Sequence, residues 1–522
     1  MAFVFPSLAN SATVTITAAG ALFSCLLLYF IRINLMFMET PARFRILAGS
    51  RWDPKLLSQT YKELAENPIS YADQLPPRLN RRYVVTGGAG KKFQSRVITL
   101  DRILNLIVPL LGLVGGHIVL QLLARGTPPE GIRVIDIRRT ERNDLRSEAA
   151  SRVDFIHTDV TSLSSVQAAF CKPWDQSVAH LPLTVFHTAA IIIPSARSKL
   201  QYEFVESVNV RGTKNVLMAA REAGADIFSS TSSASIAIQP VELFPSPWVS
   251  TPQNFAQVLD ESDFYKPLRP HEEFFGNYPA SKALAERLVC ETNDGDSFRT
   301  GCIRPGNGVY GDPTDNTVGG PLSRSIMPTW VPHIVQSFVH GANVAVAHLH
   351  HEAVLTTKNC SQSGRPFVVT DPNPPITYGD LYNVIKFLSF HSFHVVVLPP
   401  ILILLLSHVI EWYVLLPYRY SFLRHFLPQI RGDLKYLQPG LFSICTHLIV
   451  SDSEARKPVE EGGLGYRGVL TTLQGMVWEV LEWNREHGSE HDKPHARKAY
   501  TTSVELAEQI QKLGVGGVRI ST

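Results

Sequence analysis

The sequence predicts an α/β protein with a doubly wound parallel sheet, a smaller C-terminal domain and membrane-associated segments. Three observations lead there. Residues 82–311 alternate short β-branched runs with helical stretches, the pattern of βαβ units. A glycine-rich turn follows the first of these runs. Two long apolar stretches flank the alternating region, one near the N-terminus and one after residue 392.

The chain has 522 residues, enough for more than one domain. A formal net charge of +3, with no long basic run, excludes nucleic acid as the expected partner. Six cysteines are scattered without a CxxC pair, which fits a reducing compartment and argues against a zinc site or a disulfide framework. His348, His350, His351 and Glu352 are read as a polar helix face, with no metal expected.

From Thr13 to Ile31 the chain is mostly apolar and carries no charge, about the length that crosses a bilayer core as a helix. Arg32, Arg43, Arg45, Arg51 and Lys55 follow it, so the positive-inside rule puts the downstream chain in the cytosol. Residues 1–40 are therefore expected to be an anchor and 41–81 a linker. The second apolar segment, 392–420, contains Pro399-Pro400 and ends in Trp412, Tyr413, Tyr418 and Tyr420. Adjacent prolines break helices, which leaves both a span and a re-entrant hairpin open.

The expected strands are Arg82–Thr86, Ile132–Asp136, Asp154–His157, Thr184–His187, Ile227–Ser230 and Gly301–Arg304. Gly115–Arg125 and Arg211–Ala223 read as helices between them. Each strand ends at a polar or small residue, where such sheets bind ligands. Residues 312–391 form the smaller domain, with Arg365–Asp371 as one of its strands and turns, and 421–522 its C-terminal part and tail.

The first strand runs into Thr86-Gly87-Gly88-Ala89-Gly90, the start of a dinucleotide fingerprint. Lys91–Gly112 then intervene before Leu113-Val114-Gly115-Gly116. Without those 22 residues the text reads TGGAGLVGGHIVLQLLARG, a complete Rossmann-type turn that places Gly87, Gly90, Leu113, Val114 and Gly115 at the cofactor phosphates. Gly90-Lys91 can be encoded with GTAAG and Leu111-Gly112 with TAG before G, so we read Lys91–Gly112 as a retained intron. The other reading is a genuine loop excursion that weakens cofactor binding. Asp136 ends the next strand, where a carboxylate accepts ribose hydroxyls and disfavours a 2′-phosphate. NAD is expected over NADP, although Arg138 and Arg139 blunt the preference.

Tyr278 and Lys282 form a YxxxK pair, one helical turn apart on one face. An ammonium there can lower the phenol's pKa, so that tyrosinate takes the proton of an alcohol as hydride leaves its carbon. Ser233, with Ser232 the second choice, ends the hydroxyl-rich run Ser229–Ser233 and can bond the reacting oxygen.

The ordered set TGGAG, LVGGHIV, VIDIRR, HTAA, VNVRGTKNVL, STSSAS, YPASKALAE and RPGNGVYG resembles the 3β-hydroxysteroid dehydrogenase family, over about residues 82–390. Within it, the chain is similar to the sterol-4α-carboxylate 3-dehydrogenases. The resemblance implies Ser233, Tyr278 and Lys282 as catalytic residues, with Asn209 on the helix behind the catalytic group. It also implies Asp159 and Val160 near the adenine, Ala189 and Ala190 beside the cofactor, and Pro305 and Gly306 beside the nicotinamide. The expected activity is NAD-dependent oxidation of a 3β-hydroxyl of a sterol-like substrate, with loss of a 4-carboxylate where one is present. Expected partners are a lipophilic secondary alcohol, the bilayer of the endoplasmic reticulum, and a homodimer or sterol-enzyme complex. The competing readings are a nucleotide-sugar epimerase or dehydratase and a catalytically impaired membrane scaffold.

Overall fold

A computed structural model describes residues 8–71, 74–87, 112–137, 142, 144–312, 315–428, 430 and 432–488. Gly88, Ala89, Gly90 and most of Lys91–Gly112 lie outside the described residues, as do Arg138 and Arg139. The N-terminal part holds helices α1 (Leu8–Phe37) and α2 (Pro54–Glu66). Seven parallel strands follow: β1 (Arg82–Thr86), β2 (Ile132–Asp136), β3 (Asp154–His157), β4 (Leu183–His187), β5 (Ala225–Thr231), β6 (Arg299–Pro305) and β7 (Pro366–Val369). Their order is β7-β6-β5-β4-β1-β2-β3. Thr86 pairs with Ile135 on one side and His187 on the other. The winding reverses between β1 and β4, which opens the ligand crevice of such a sheet at their C-terminal ends.

The longer helices after β1 are α3 (Leu113–Ala124), α4 (Leu163–Cys171), α5 (Thr213–Glu222), α6 (Asn277–Glu291), α7 (Gly341–Leu355), α8 (Tyr378–Leu388), α9 (Pro400–Arg419) and α10 (Thr472–His487). Strand periodicity divides α3 to α7 between the sheet's two faces. Val84 points to a core with Val166, Phe170, Val216 and Val289 of α4, α5 and α6. Its neighbours Tyr83 and Val85 point the other way, to Ile118, Leu122, Ala345 and Leu349 of α3 and α7. A parallel sheet covered on both faces buries most of its side chains, here all but those of the edge strand β3 and a few others, each fully buried aliphatic one contributing about 1.5–3 kcal/mol.

The first three strands have the expected bounds, and the next three run one or two residues longer at an end. Three expectations are corrected. Pro366–Val369, assigned to the smaller domain, is the seventh strand of the main sheet, paired with β6. It is an edge strand, yet its PFVV run is buried at every position, because Phe367 and Val369 pack with Val344 and Val346 and Val368 packs with Leu448 and Val450. Residues 41–81 are no free linker: Trp52, Leu57 and Leu64 pack with Leu381, Ile385, Val477 and Val480 of α8 and α10. Finally, Pro399 and Pro400 start a helix rather than break one. Pro399 is the N-cap of α9 and Pro400 its first residue, where a missing N–H costs nothing.

Both α1 and α9 are long and apolar enough to cross a membrane, judged by length and composition. The C-terminal end of α1 meets the N-terminal end of α9 in a shared core of Ile33, Phe37, Ile401, Ile403 and Leu404.

Candidate active site

Because all seven strands run the same way, their C-terminal ends line one edge of the sheet. That edge collects Gly87 after β1, Asp136 at the end of β2, Asp159 and Val160 after β3, and Ala189 and Ala190 after β4. Ser233 follows β5, and Pro305 and Gly306 close β6. Helix α6 adds Tyr278 and Lys282 from its first turns; Pro279 fits there because the N–H groups of that turn have no intrahelical partner.

The reacting end is tightly specified. Tyr278 is buried beside Ser233, and burial raises its phenol to about 12, with the Ser233 hydroxyl opposing the rise. The lowering expected from Lys282 is not what opposes it, because the ammonium is turned to the Thr231 carbonyl of β5, 2.8 Å away. Burial lowers Lys282 to about 8, against the raising influence of Cys302 and Glu286. The neighbouring hydroxyls separate clearly. Ser233 Oγ lies 2.8 Å from Ser235 Oγ and stays partly exposed. Ser232 is buried and donates to Glu286 at 2.6 Å. Glu286 also accepts from buried Arg304 on β6 at 2.6 and 2.8 Å, so it fixes α6 to the sheet and leaves Ser232 no free hydroxyl.

Asn209 lies in a π-helical turn, Ser207–Gly212, a distortion that recurs at functional sites. Its side-chain amide accepts from Ile191 N at 2.8 Å and donates to Ile191 O at 3.0 Å and Ser281 Oγ at 2.9 Å. It therefore ties the segment after β4 to the helix that carries Tyr278.

His187, which the sequence reading passed over inside HTAA, joins the two halves of the site. Thr213 Oγ1 donates to Asn209 O at 2.7 Å, so it must accept from His187 Nε2, 2.9 Å away. His187 Nδ1 is then an acceptor, and Thr86 Oγ1 donates to it at 2.8 Å. Thr86 in turn accepts from Thr188 N and Ala189 N at 3.1 and 3.2 Å. Burial lowers His187 to about 3, so the ring is neutral and this tautomer fixed. Only the chemistry of a buried threonine-histidine-threonine chain could have signalled it, and no spacing in the sequence does.

The histidines of α7 are a further correction. His348, His351 and Glu352 are fully buried against the sheet rather than solvated. His348 bonds Ser229 and Thr231, and His351 bonds Ser229, each at 2.8 Å. Glu352 pairs with Arg125 at 2.7 Å. They face small hydroxyl-bearing strand residues, which lets an apolar helix carry polar groups inward.

The cofactor end fits a dinucleotide. Gly87 has φ +72°, and a Cβ there would lie 2.8 Å from Ala189 N and Cα, so only glycine allows this approach of β1 to β4. Asp136 is buried where β2 ends. Asp159 holds Thr161 N and Oγ1 at 2.9 and 2.7 Å, and Val160 packs under Gly212. Gly306 N donates to Val369 O at 2.8 Å. Leu113, Val114 and Gly115 open α3 after Gly112, whose φ is +109°. The flanks of the interrupted turn thus meet as strand and helix, while Gly90 lies outside the described residues.

A doubly wound sheet with this glycine turn, carboxylate and Ser/Tyr/Lys cluster defines an NAD(P)-dependent oxidoreductase acting on CH–OH groups. The chain belongs to the 3-beta hydroxysteroid dehydrogenase/isomerase family, whose model matches residues 106–399. It is 28% identical over 382 residues to the mouse short-chain dehydrogenase/reductase family 42E member 1, covering 69% of this chain and 82% of that one. It is 26% identical over 272 residues to the Candida albicans sterol-4-alpha-carboxylate 3-dehydrogenase ERG26, decarboxylating, covering 50% and 69%. Among solved structures it is similar to Thermus thermophilus UDP-glucose 4-epimerase in complex with NAD, at 20% identity and TM-score 0.45, covering 76% and 97%.

Proposed function

We propose that this enzyme oxidises the 3β-hydroxyl of a sterol-like lipid to the ketone, with NAD preferred to NADP. The observation that carries the reading is buried Tyr278 set beside Ser233 at the sheet edge, with Lys282 one turn along α6. In this reading Ser233 and Tyr278 bond the substrate oxygen, and Tyr278 takes its proton. Lys282 is charged below about pH 8, and in this reading its field favours tyrosinate once the ammonium leaves the Thr231 carbonyl for the phenol. NAD, when bound, accepts the hydride. Asp136 is assigned to the ribose, Gly87, Gly90 and Leu113–Gly115 to the phosphates, and Asp159 and Val160 to the adenine side. Ala189, Ala190, Pro305 and Gly306 are assigned to the nicotinamide side, and Asn209 positions rather than reacts.

A relative named as a decarboxylating sterol-4-alpha-carboxylate dehydrogenase supports a substrate with a carboxylate beside the hydroxyl. Oxidation would turn it into a β-keto acid, which loses carbon dioxide because the new carbonyl stabilises the enolate. Helix α1 with the basic residues after it supports anchoring in the endoplasmic reticulum membrane, with the sheet in the cytosol.

The test follows NADH formation with 3β-hydroxysterols, with and without a 4-carboxylate, in vesicles holding the full chain. The expected result is turnover that falls by about 10²–10⁴ in Tyr278→Phe. Equal turnover in that variant would overturn the assignment.

A further inference from the structure

We propose that α9 and the loop before residue 250 form a second membrane-binding surface, lying in the plane of the bilayer rather than across it. The proposal rests on the membrane reading of α1 and goes beyond it.

The two faces of α9 differ. Ile401, Ile403, Leu404, Ser407, Ile410 and Leu415 are buried against the body of the protein. Leu402, Leu405, Val409 and Trp412 form an exposed stripe at spacings of three, four and three, one side of a helix. Val409 is 60% and Trp412 58% exposed. A helix wet on neither side would suit a span; one half-buried in its own protein, with an apolar stripe outward, suits an interface.

Three further contacts hold α9 down. Arg197, from the segment after β4, makes two 2.8 Å bonds to Glu411 in fork geometry. Ile401 N donates to Asn34 Oδ1 of α1 at 3.3 Å. Tyr413 donates to Pro428 O at 2.7 Å. Crossing the bilayer would tear the Arg197–Glu411 pair apart and uncover the buried face.

The stripe continues into a neighbouring loop. Trp248 is 91% exposed, with Phe244 and Val249 beside it in sequence and also exposed. Phe244 lies against His408 of α9, while Tyr29 and Arg32 of α1 bond Pro245 O and Val249 O. The loop is thus wedged between the two apolar helices. At the end of α9 and past it, Tyr418, Tyr420, Phe422 and Phe426 are exposed, interleaved with Arg419 and Arg424. Aromatic rings mixed with arginine suit the headgroup level, with its phosphates.

The surface is linked to the reaction site. Arg197 lies one residue beyond Ala196, whose carbonyl accepts from Asn277 N at the start of α6 at 2.8 Å. Docking of α9 therefore sets the segment beside Tyr278 against the bilayer, so that a lipid substrate can enter without crossing water.

The experiment reconstitutes the full chain in phosphatidylcholine vesicles and measures tryptophan quenching by lipids brominated near the headgroup or near the chain end. Helix α1 has no tryptophan, so its insertion does not contribute. We expect headgroup-side bromine to quench more strongly, with the quenched share falling in Trp248→Phe and again in Trp412→Phe. In the Trp412→Phe background, Leu402→Trp should report the same depth as Trp412. A spanning helix would separate those two positions by ~15 Å and overturn the proposal. Absence of quenching at Trp248 and Trp412 would overturn it too, in favour of a protein partner. Wild-type quenching is the primary reading, so an unfolded variant does not decide the matter. NADH formation is read separately, so failure of the docking surface leaves the dehydrogenase assignment standing, and the reverse.

Discussion

The two halves of the site are built to different tolerances. Around Ser233, Tyr278 and Lys282 every neighbour is engaged: Glu286 holds Ser232 and Arg304, Asn209 holds Ser281, and Thr231 holds Lys282. Around the phosphates, the turn that should pass from Gly87 to Leu113 in a few residues is interrupted by 22. Its flanks nonetheless sit as in an unbroken unit, with β1 locked between β2 and β4, and α3 packed on the same strand. The fold is therefore specified by the sheet and its helices and does not need the turn. In the function proposed here, cofactor affinity does.

The largest effect that sharpens this contrast separates two adjacent serines. Ser233→Ala should lower kcat by about 10²–10³, as the loss of one bond to a reacting oxygen does. Ser232→Ala should leave kcat within a few-fold and cost about 1–3 kcal/mol of stability, because Glu286 loses a buried partner. Steady-state kinetics and thermal unfolding of both variants check this; the reverse pattern would make Ser232 the catalytic hydroxyl.

Next comes Lys282, whose folded pKa of about 8 lies below its ordinary 10.5. Above pH 10.5 the amine is neutral in both states and costs nothing. Below pH 8 it is charged in both, and burial of that charge lowers stability in full, by about 3 kcal/mol. Lys282→Met should thus be the more stable protein at pH 7, with the gap closing between pH 8 and 10.5, while NADH formation is lost. A gap independent of pH would show that packing, not charge, explains it.

The smallest effect tests the link between the halves. Thr213→Val removes the hydroxyl that joins His187 to the Asn209 carbonyl and should cost about 1–3 kcal/mol. It should raise KM for NAD more than it lowers kcat, since Thr86 and Gly87 lie at the far end of the chain. An effect on kcat alone would detach His187 from the cofactor side.

Much of this was legible in the sequence, for a physical reason. Strand runs such as YVVT and RVID are short, β-branched and bounded by polar ends, so their pattern reports burial directly. Tyr278 and Lys282 are four residues apart on one helix, which is local information. What the sequence hid depends on distant partners. PFVV reads as a strand but not as the neighbour of β6. HLHHE reads as a polar face, because nothing local reveals that Ser229 and Thr231 will meet its histidines. Pro399-Pro400 reads as a break, although the same residues start a helix when they stand at its first turn.

The most direct measurement is NAD binding by calorimetry to two full proteins, the chain as given and one lacking Lys91–Gly112. The shortened protein should bind at least about tenfold more tightly, a difference of about 1.4 kcal/mol, at equal thermal stability. Equal affinity for the two proteins would contradict it, because the interrupted turn would then be a complete cofactor site.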